Sequence, residues 1–91
     1  HKMEMNGINE LKKVLEKHNG EDAVISISHK LYGNEKKIKC KLDCFLDEKR
    51  IGLRVKSGQE LYVYRDELQG CGVDDDIFFE DDVMRIDIGL I

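Results

Sequence analysis

The chain has 91 residues, of which 41% are hydrophobic and 37% are charged, and its net charge is −4. A chain of this length fits one domain with a thin core, because it buries only about 60–65% of its unfolded surface. Three cysteines are too few, and odd in number, for a disulfide-held secreted domain, and no window approaches the roughly 18 apolar residues of a membrane span. We therefore expect a single cytoplasmic domain over residues 3–91, without membrane contact. Residues 1–2 precede the first Met and are interpreted as an expression remnant.

The charge is distributed unevenly along the chain. Up to Lys56 there are 13 Lys or Arg against 9 Asp or Glu, a balance of +4, whereas after Lys56 there are 2 against 10, a balance of −8. Opposite charges in the two parts favour self-association, or two differently charged surfaces after folding. They are not typical of a general nucleic-acid binder.

The first predicted element is a helix over residues 3–20. Its apolar side chains recur at the three-and-four spacing of one helical face, at Ile8, Leu11, Val14 and Leu15. Gly20 is the expected end of the helix, because glycine tolerates the left-handed conformation found there. A single apolar stripe implies that the helix packs against the rest of the chain.

After Gly20 the apolar period changes to two, which is typical of half-buried strands. This alternation predicts strands over residues 23–32, 38–46, 51–56 and 59–67, followed by one or two short strands at 77–79 and 83–88. Two glycines predict a break at residues 68–72. Gly52, inside a strand, indicates a bulge or a close approach of another backbone.

The connections between the predicted strands are too short for helical crossovers, so the strands are expected to be antiparallel. The fold prediction is mainly β: an N-terminal helix over residues 3–20, then a five- to six-stranded antiparallel small barrel or curled sheet over 21–91. Closing such a sheet, or pairing it with a neighbour, would protect its edges.

The order of a helix and five strands is similar to that of the Sm-like small β-barrel proteins. The stretch DCFLD resembles their Asp-x-aromatic signature through Phe45, Leu46 and Asp47, and Met84-Arg85-Ile86 corresponds to their apolar-Arg-Gly stretch, with Ile86 in place of the glycine. The resemblance implies a barrel that associates edge to edge into a ring. In that family the ring recognises RNA.

Single-stranded RNA binding is accordingly one alternative function. The basic side chains and the aromatic group that would serve it are Lys39, Lys41, Phe45 and Arg85. The lysines also lie at outward positions of a strand, where any solvated sheet would place them.

The segment 74–82 has six acidic residues around Ile77, Phe78 and Phe79. Carboxylates of Asp74, Asp76 and Glu80 are candidate ligands for a Mg²⁺ or Ca²⁺ ion. A second hypothesis is an acidic inhibitor, or nucleic-acid mimic, that binds a basic protein through this segment. The composition favours solvated turns around a buried strand, so neither a metal nor a cofactor is predicted.

Cys40 and Cys44 lie in one alternating strand, about 13 Å apart from end to end, so they are not expected to share a zinc ion. They are interpreted as buried thiols. No nucleophile is placed beside a base and no glycine-rich phosphate loop is present, so an enzyme is not expected.

The preferred prediction is a non-enzymatic interaction or structural module that forms a homo-oligomer. A thin core, the opposed charges of its two parts and outward aromatic side chains favour self-association. The predicted interface residues are Tyr62, Tyr64 and Phe78.

Overall fold

The structure is a computed structural model that describes the backbone of residues 2–91 and the side chains of residues 7–91; His1 of the predicted remnant lies outside this range. One helix precedes the strands. The elements are α1 (Lys2–His18), β1 (Asp22–His29), β2 (Glu35–Lys41), β3 (Cys44–Leu46), β4 (Arg50–Arg54), β5 (Glu60–Tyr64), a 3-10 turn (Arg65–Glu67), β6 (Gly70–Gly72), β7 (Ile77–Glu80) and β8 (Met84–Leu90). None of the helical segments in the described range is long and apolar enough to cross a membrane.

The strands form two antiparallel sheets. The larger has the order β2-β1-β8-β7-β6 and the smaller the order β3-β4-β5. The predicted N-terminal helix, the mainly β content and the antiparallel pairing are confirmed. The prediction of five or six strands in one barrel or curled sheet is wrong in the number of strands and in the closed barrel, because residues 2–91 form eight strands in two sheets, neither of which closes on itself.

The long strand predicted at residues 38–46 is divided between the two sheets. The Leu42 N–H donates to the Glu21 carbonyl at 2.8 Å, whereas the Arg54 N–H donates to the Asp43 carbonyl at 2.8 Å. The chain therefore changes partners between Leu42 and Asp43. The alternation of apolar side chains continues through this point because both sheets contribute to the same core.

Other boundaries also differ from the prediction, and the strand predicted over residues 59–67 ends at Tyr64, before a 3-10 turn. The first strand ends at His29 instead of residue 32, because the chain turns there, with the Gly33 N–H donating to the His29 carbonyl at 2.7 Å. Leu31, which lies inside the strand predicted over residues 23–32, is 72% exposed in that turn. The predicted break at residues 68–72 contains the strand β6, whose glycines leave room for the Phe78 ring.

One hydrophobic core joins the helix and both sheets. Ile8, Leu11 and Leu15 of α1 are buried as predicted, while Val14 is half-buried, and the two sheets bury alternate residues of their strands. Its largest fully buried side chains are Phe79, Leu11, Leu15, Ile25, Leu42, Ile51, Leu53, Ile86 and Val63. The opposite faces of both sheets carry the polar, charged and aromatic side chains from which a function has to be argued.

Candidate interaction surfaces

The outer face of the three-stranded sheet is built around Gly52. Gly52 is the cross-strand partner of Phe45 on one side and of Tyr62 on the other. A Cβ at this position would lie 2.7 Å from Phe45 Cζ and 2.6 Å from Tyr62 Cβ, and it would also meet the Leu61 carbonyl oxygen. The close approach predicted for Gly52 is confirmed, and it lets the two aromatic side chains close over the middle of β4.

Two arginines flank Gly52 on the same face of β4. The guanidinium carbon of Arg50 lies 4.9 Å from the Phe45 ring centroid and 5.0 Å from that of Tyr62. The guanidinium carbon of Arg54 lies 4.8 Å from the Phe45 centroid. These are cation–π distances, so the arginines and the rings hold one another in place.

Carboxylates fix the same arginines from the side. Glu60 lies 3.5 Å from Arg50 Nη1 and 3.2 Å from Arg54 Nε, through its two carboxylate oxygens. Asp43 lies 3.5 Å from Arg54 Nη1 and Asp47 lies 3.4 Å from Arg50 Nη2. All of these side chains are partly solvent-exposed, so each ion pair is worth little in stability and serves mainly to orient the guanidinium groups.

Tyr62 and Tyr64, predicted as interface residues, lie together on this face. Their ring centroids are 5.5 Å apart with an interplanar angle of 83°, an edge-to-face arrangement. A hydrogen bond with Tyr62 and the nearness of that group raise the pKa of Tyr64. Tyr64 is 46% exposed. We define the tyrosine–arginine face by its six outward side chains: Phe45, Arg50, Arg54, Glu60, Tyr62 and Tyr64.

Two depressions adjoin the exposed ring of Tyr64. One has a volume of about 450 Å³ and is lined by Asp47, Glu48, Lys49, Arg50 and Tyr64. The other has a volume of about 240 Å³ and shares Glu48, Lys49 and Tyr64 with the first. Tyr64 therefore stands between two shallow hollows at the margin of the tyrosine–arginine face.

Asp47 makes the wall of the larger depression rigid. Its Oδ1 atom accepts hydrogen bonds from the N–H groups of Lys49 at 2.9 Å and Arg50 at 2.7 Å. These two bonds, followed by the Arg50 charge, lower the pKa of the Asp47 carboxyl group. The turn into β4 is thus held by an ionised side chain.

Phe78, the third predicted interface residue, lies on the outer face of the other sheet. Its ring packs across β6, where a Cβ on Gly72 would lie 3.0 Å from Phe78 Cε1. The guanidinium carbon of Arg85 covers the ring at 3.9 Å from its centroid. Arg85 is held in turn by Asp87, at 3.1 Å from Nε, and by Asp76, at 3.7 Å from Nη2. Phe78 is therefore half-buried, because β6 and Arg85 cover parts of its ring.

The edge strand β2 carries four exposed lysines, which we call the lysine edge: Lys36, Lys37, Lys39 and Lys41. Lys41 pairs with Asp22 at 2.7 Å and Lys37 lies 3.9 Å from Glu35. Lys36 and Lys39 make no ion pair with any side chain of the described range.

Acidic side chains gather at one end of the strands of the larger sheet, before β6 and between β7 and β8. A depression of about 330 Å³ is lined by Asp66, Glu67, Gln69, Asp81, Asp82 and Val83. Asp81 Oδ1 accepts hydrogen bonds from the N–H groups of Val83 at 2.8 Å and Met84 at 2.7 Å, so the turn between β7 and β8 is well defined. Folding thus places lysines along the edge strand β2 and acidic side chains around the turn between β7 and β8.

The residues proposed for RNA binding lie in three separate places. Lys39 and Lys41 are on β2, Phe45 is on the other sheet beneath two arginines, and Arg85 covers Phe78. On β1, Lys39 pairs with Val24 and Arg85 with Ser28, which are about 13 Å apart along the strand. The structure does not bring these four side chains together, and RNA binding stays a prediction.

The metal candidates Asp74, Asp76 and Glu80 are not arranged as a ligand set. Glu80 pairs with Lys30 at 2.8 Å and Asp76 faces Arg85. Among the side chains of residues 7–91, no group of three or more His, Cys, Asp or Glu could hold a metal ion.

The cysteines Cys40 and Cys44 lie against the core. Cys40 is buried, and burial raises the pKa of both thiols. Cys44 Sγ also donates a hydrogen bond to Asn19 Oδ1 at 3.3 Å. Thiols of this kind pack as small apolar side chains and react slowly.

The sequence interpretation missed the role of Arg50 and Arg54. Their outward phase could be derived from the alternation in β4, on either side of Gly52. Which rings they would meet depended on the pairing of β3 and β5 with β4, which no local pattern specifies.

Comparison with protein-family models, with curated proteins and with solved structures finds no match to this chain.

Proposed function

We propose that this chain is a non-enzymatic interaction module that self-associates, and that two copies meet through the tyrosine–arginine face. The observation that carries the proposal is an open sheet face on which aromatic rings and arginines are already ordered by contacts within the chain. Tyr and Arg are among the residue types enriched at the energetic centres of protein interfaces.

Rigidity of this face supports binding. Arg50 and Arg54 are held by Glu60 and by the Phe45 ring before any partner arrives. Less side-chain freedom is then lost on association, so more of the contact energy remains as affinity. Gly52 contributes by letting the rings settle close to the strand.

The charges of the face favour a second copy as the partner. Arg50 and Arg54 lie beside Asp43, Asp47 and Glu60, so the face carries both signs of charge within a small area. In a two-fold contact the same surface is used by both subunits, and arginines of one copy can meet carboxylates of the other. The aromatic side chains then pack at the centre.

The size of the face limits the strength of the dimer. Three strands of up to five residues cover roughly 10–14 Å by 17 Å, which is an area of roughly 170–240 Å². Standard stable complexes bury roughly 800 Å² per partner, so the face is smaller than their interfaces. The hollows beside Tyr64 add area at the margin. We therefore expect dissociation constants of roughly tens of micromolar, and not an obligate dimer.

Sedimentation velocity over a concentration series tests this proposal. The parent chain should shift from monomer to dimer, and Tyr64→Ala should weaken the association roughly tenfold. Tyr32→Ala is the matched control, because Tyr32 is 76% exposed and lies in the turn after β1. A parent chain that stays monomeric at several hundred micromolar, or equal effects of the two substitutions, would contradict the proposal.

A further inference from the structure

The strand β2 offers a regular and unpaired edge. It pairs with β1 on one side over seven consecutive positions, from Asp22 with Lys41 to Ser28 with Glu35, without a bulge. It ends the order of its sheet, and no described strand pairs with its other side. Backbone N–H and C=O groups along such an edge can bond a further strand.

The lysine edge borders this site on both faces of the sheet. Lys37, Lys39 and Lys41 share the outer face, while Lys36 lies in register with Ile27 on the opposite face. Lys36 and Lys39 are exposed and have no ion pair among the described residues, so their charges are available to a partner. A strand added here would have cationic groups beside it along its length, which favours acidic side chains.

A second copy of this chain cannot supply that strand from its own acidic residues. Residues 74–76 lie in the connection between β6 and β7, and Asp81 and Asp82 form the turn between β7 and β8. The strand between them, β7, is already paired on both sides. The occupant that we argue for is therefore a segment of another protein.

Single-stranded nucleic acid is a poorer fit for the same edge. Proteins that bind it combine basic groups with aromatic side chains on which bases stack. The outer face next to the lysines offers Val24, Ser26 and Ser28, and the rings of Phe45 and Phe78 lie elsewhere beneath arginines. Backbone pairing along β2 instead suits a polypeptide.

We infer that β2 binds an extended acidic segment of another protein by strand addition, with the lysine edge selecting the negative charge. Main-chain hydrogen bonds would provide the pairing, and the alternating lysines would select the side chains. This surface is separate from the tyrosine–arginine face, so the inference does not depend on self-association.

The test is fluorescence anisotropy with a labelled peptide of about nine alternating Glu and Val residues. In an extended strand this pattern places all Glu side chains on one face, and the unmodified backbone is free to pair with β2. The parent chain should bind it, and Lys36→Glu with Lys39→Glu should weaken binding at least tenfold. The matched control is Lys13→Glu with Lys49→Glu, which changes the net charge equally at two exposed positions, one on the helix and one in the turn between β3 and β4. The control should stay within about twofold of the parent, as should Tyr64→Ala. All variants should first show the parent's urea midpoint.

Two comparisons decide between strand addition and general attraction of anions. A peptide N-methylated at every residue keeps its charge and loses the backbone donors on both edges, so strand addition predicts at least a tenfold loss. Hydrogen exchange should also show slower exchange of β2 amides when the unmodified peptide is bound. Equal binding of the N-methylated peptide, equal affinity for oligo-dT, or no binding by the parent chain would overturn the inference.

Discussion

The guanidinium carbon of Arg85 lies 3.9 Å from the centroid of the Phe78 ring, while Asp87 holds the guanidinium from the side. The stack lets an aromatic residue occupy the outer face of the larger sheet without leaving the whole ring in water. Beneath the ring, Gly72 has no side chain to obstruct it.

A double-mutant cycle between Phe78→Leu and Arg85→Met tests the stack. Arg85→Met keeps an aliphatic cover but removes the charge, so we expect the free energy of unfolding to fall by about 1 kcal/mol. The two substitutions should show a coupling of about 0.5–1 kcal/mol in urea unfolding, because they remove the same contact. Strictly additive effects would show that the contact contributes nothing to stability.

Gly52→Ala should destabilise the chain by about 2–3 kcal/mol. The added methyl group would press on the Leu61 carbonyl oxygen, which is backbone and cannot rotate away, as well as on Tyr62 and Phe45. Near-ultraviolet circular dichroism should report the displaced tyrosine, and urea unfolding should report the lost stability.

Gly89→Ala is the control for that substitution, because Gly89 also lies in a strand. Its Cβ would be 3.6 Å from the Val24 carbonyl oxygen, an ordinary contact. We expect a change within about 0.5 kcal/mol. An equal loss of stability at both glycines would contradict the close packing described for Gly52.

Asp47 should make part of the stability depend on pH in the acid range. Its pKa is lowered from the ordinary value of 3.8, chiefly by the hydrogen bonds from the Lys49 and Arg50 N–H groups. A lowered folded-state pKa means that the contribution is present above the unfolded-state value and is lost as the pH falls through the folded-state value. Urea midpoints should therefore decline below about pH 4, and Asp47→Asn should flatten part of that decline.

Asp82→Asn is the control for the measurement of Asp47→Asn stability at acid pH. Asp82 is exposed and accepts no hydrogen bond from any described residue, so its amide variant should follow the parent's pH dependence. If Asp47→Asn also follows the parent at every pH, the two backbone hydrogen bonds do not stabilise the ionised form.

The outward positions of several surface side chains could be predicted from the alternation of apolar and polar residues alone. The outward phase of Tyr62, Tyr64 and Phe78 follows from the two-residue period of their strands, and all three lie on outer faces. A close approach at Gly52 was one of two alternatives that a glycine inside a strand indicated, the other being a bulge. The separation of Phe78 from the two tyrosines was not predictable, because the phase along a strand does not say to which sheet the strand belongs.

The sequence by itself determined the helical stripe, the inward and outward positions of most strands and the division of charge between the two parts of the chain. These are local properties, set by periods of 3.6 and 2 residues and by composition. Only the tertiary structure decided that the chain changes sheets between Leu42 and Asp43, and that Gly70–Gly72 forms a strand. It also decided that Phe45, Arg50 and Tyr62 meet. Those outcomes depend on which distant strands pair and in what register, and such contacts form only when the whole core assembles.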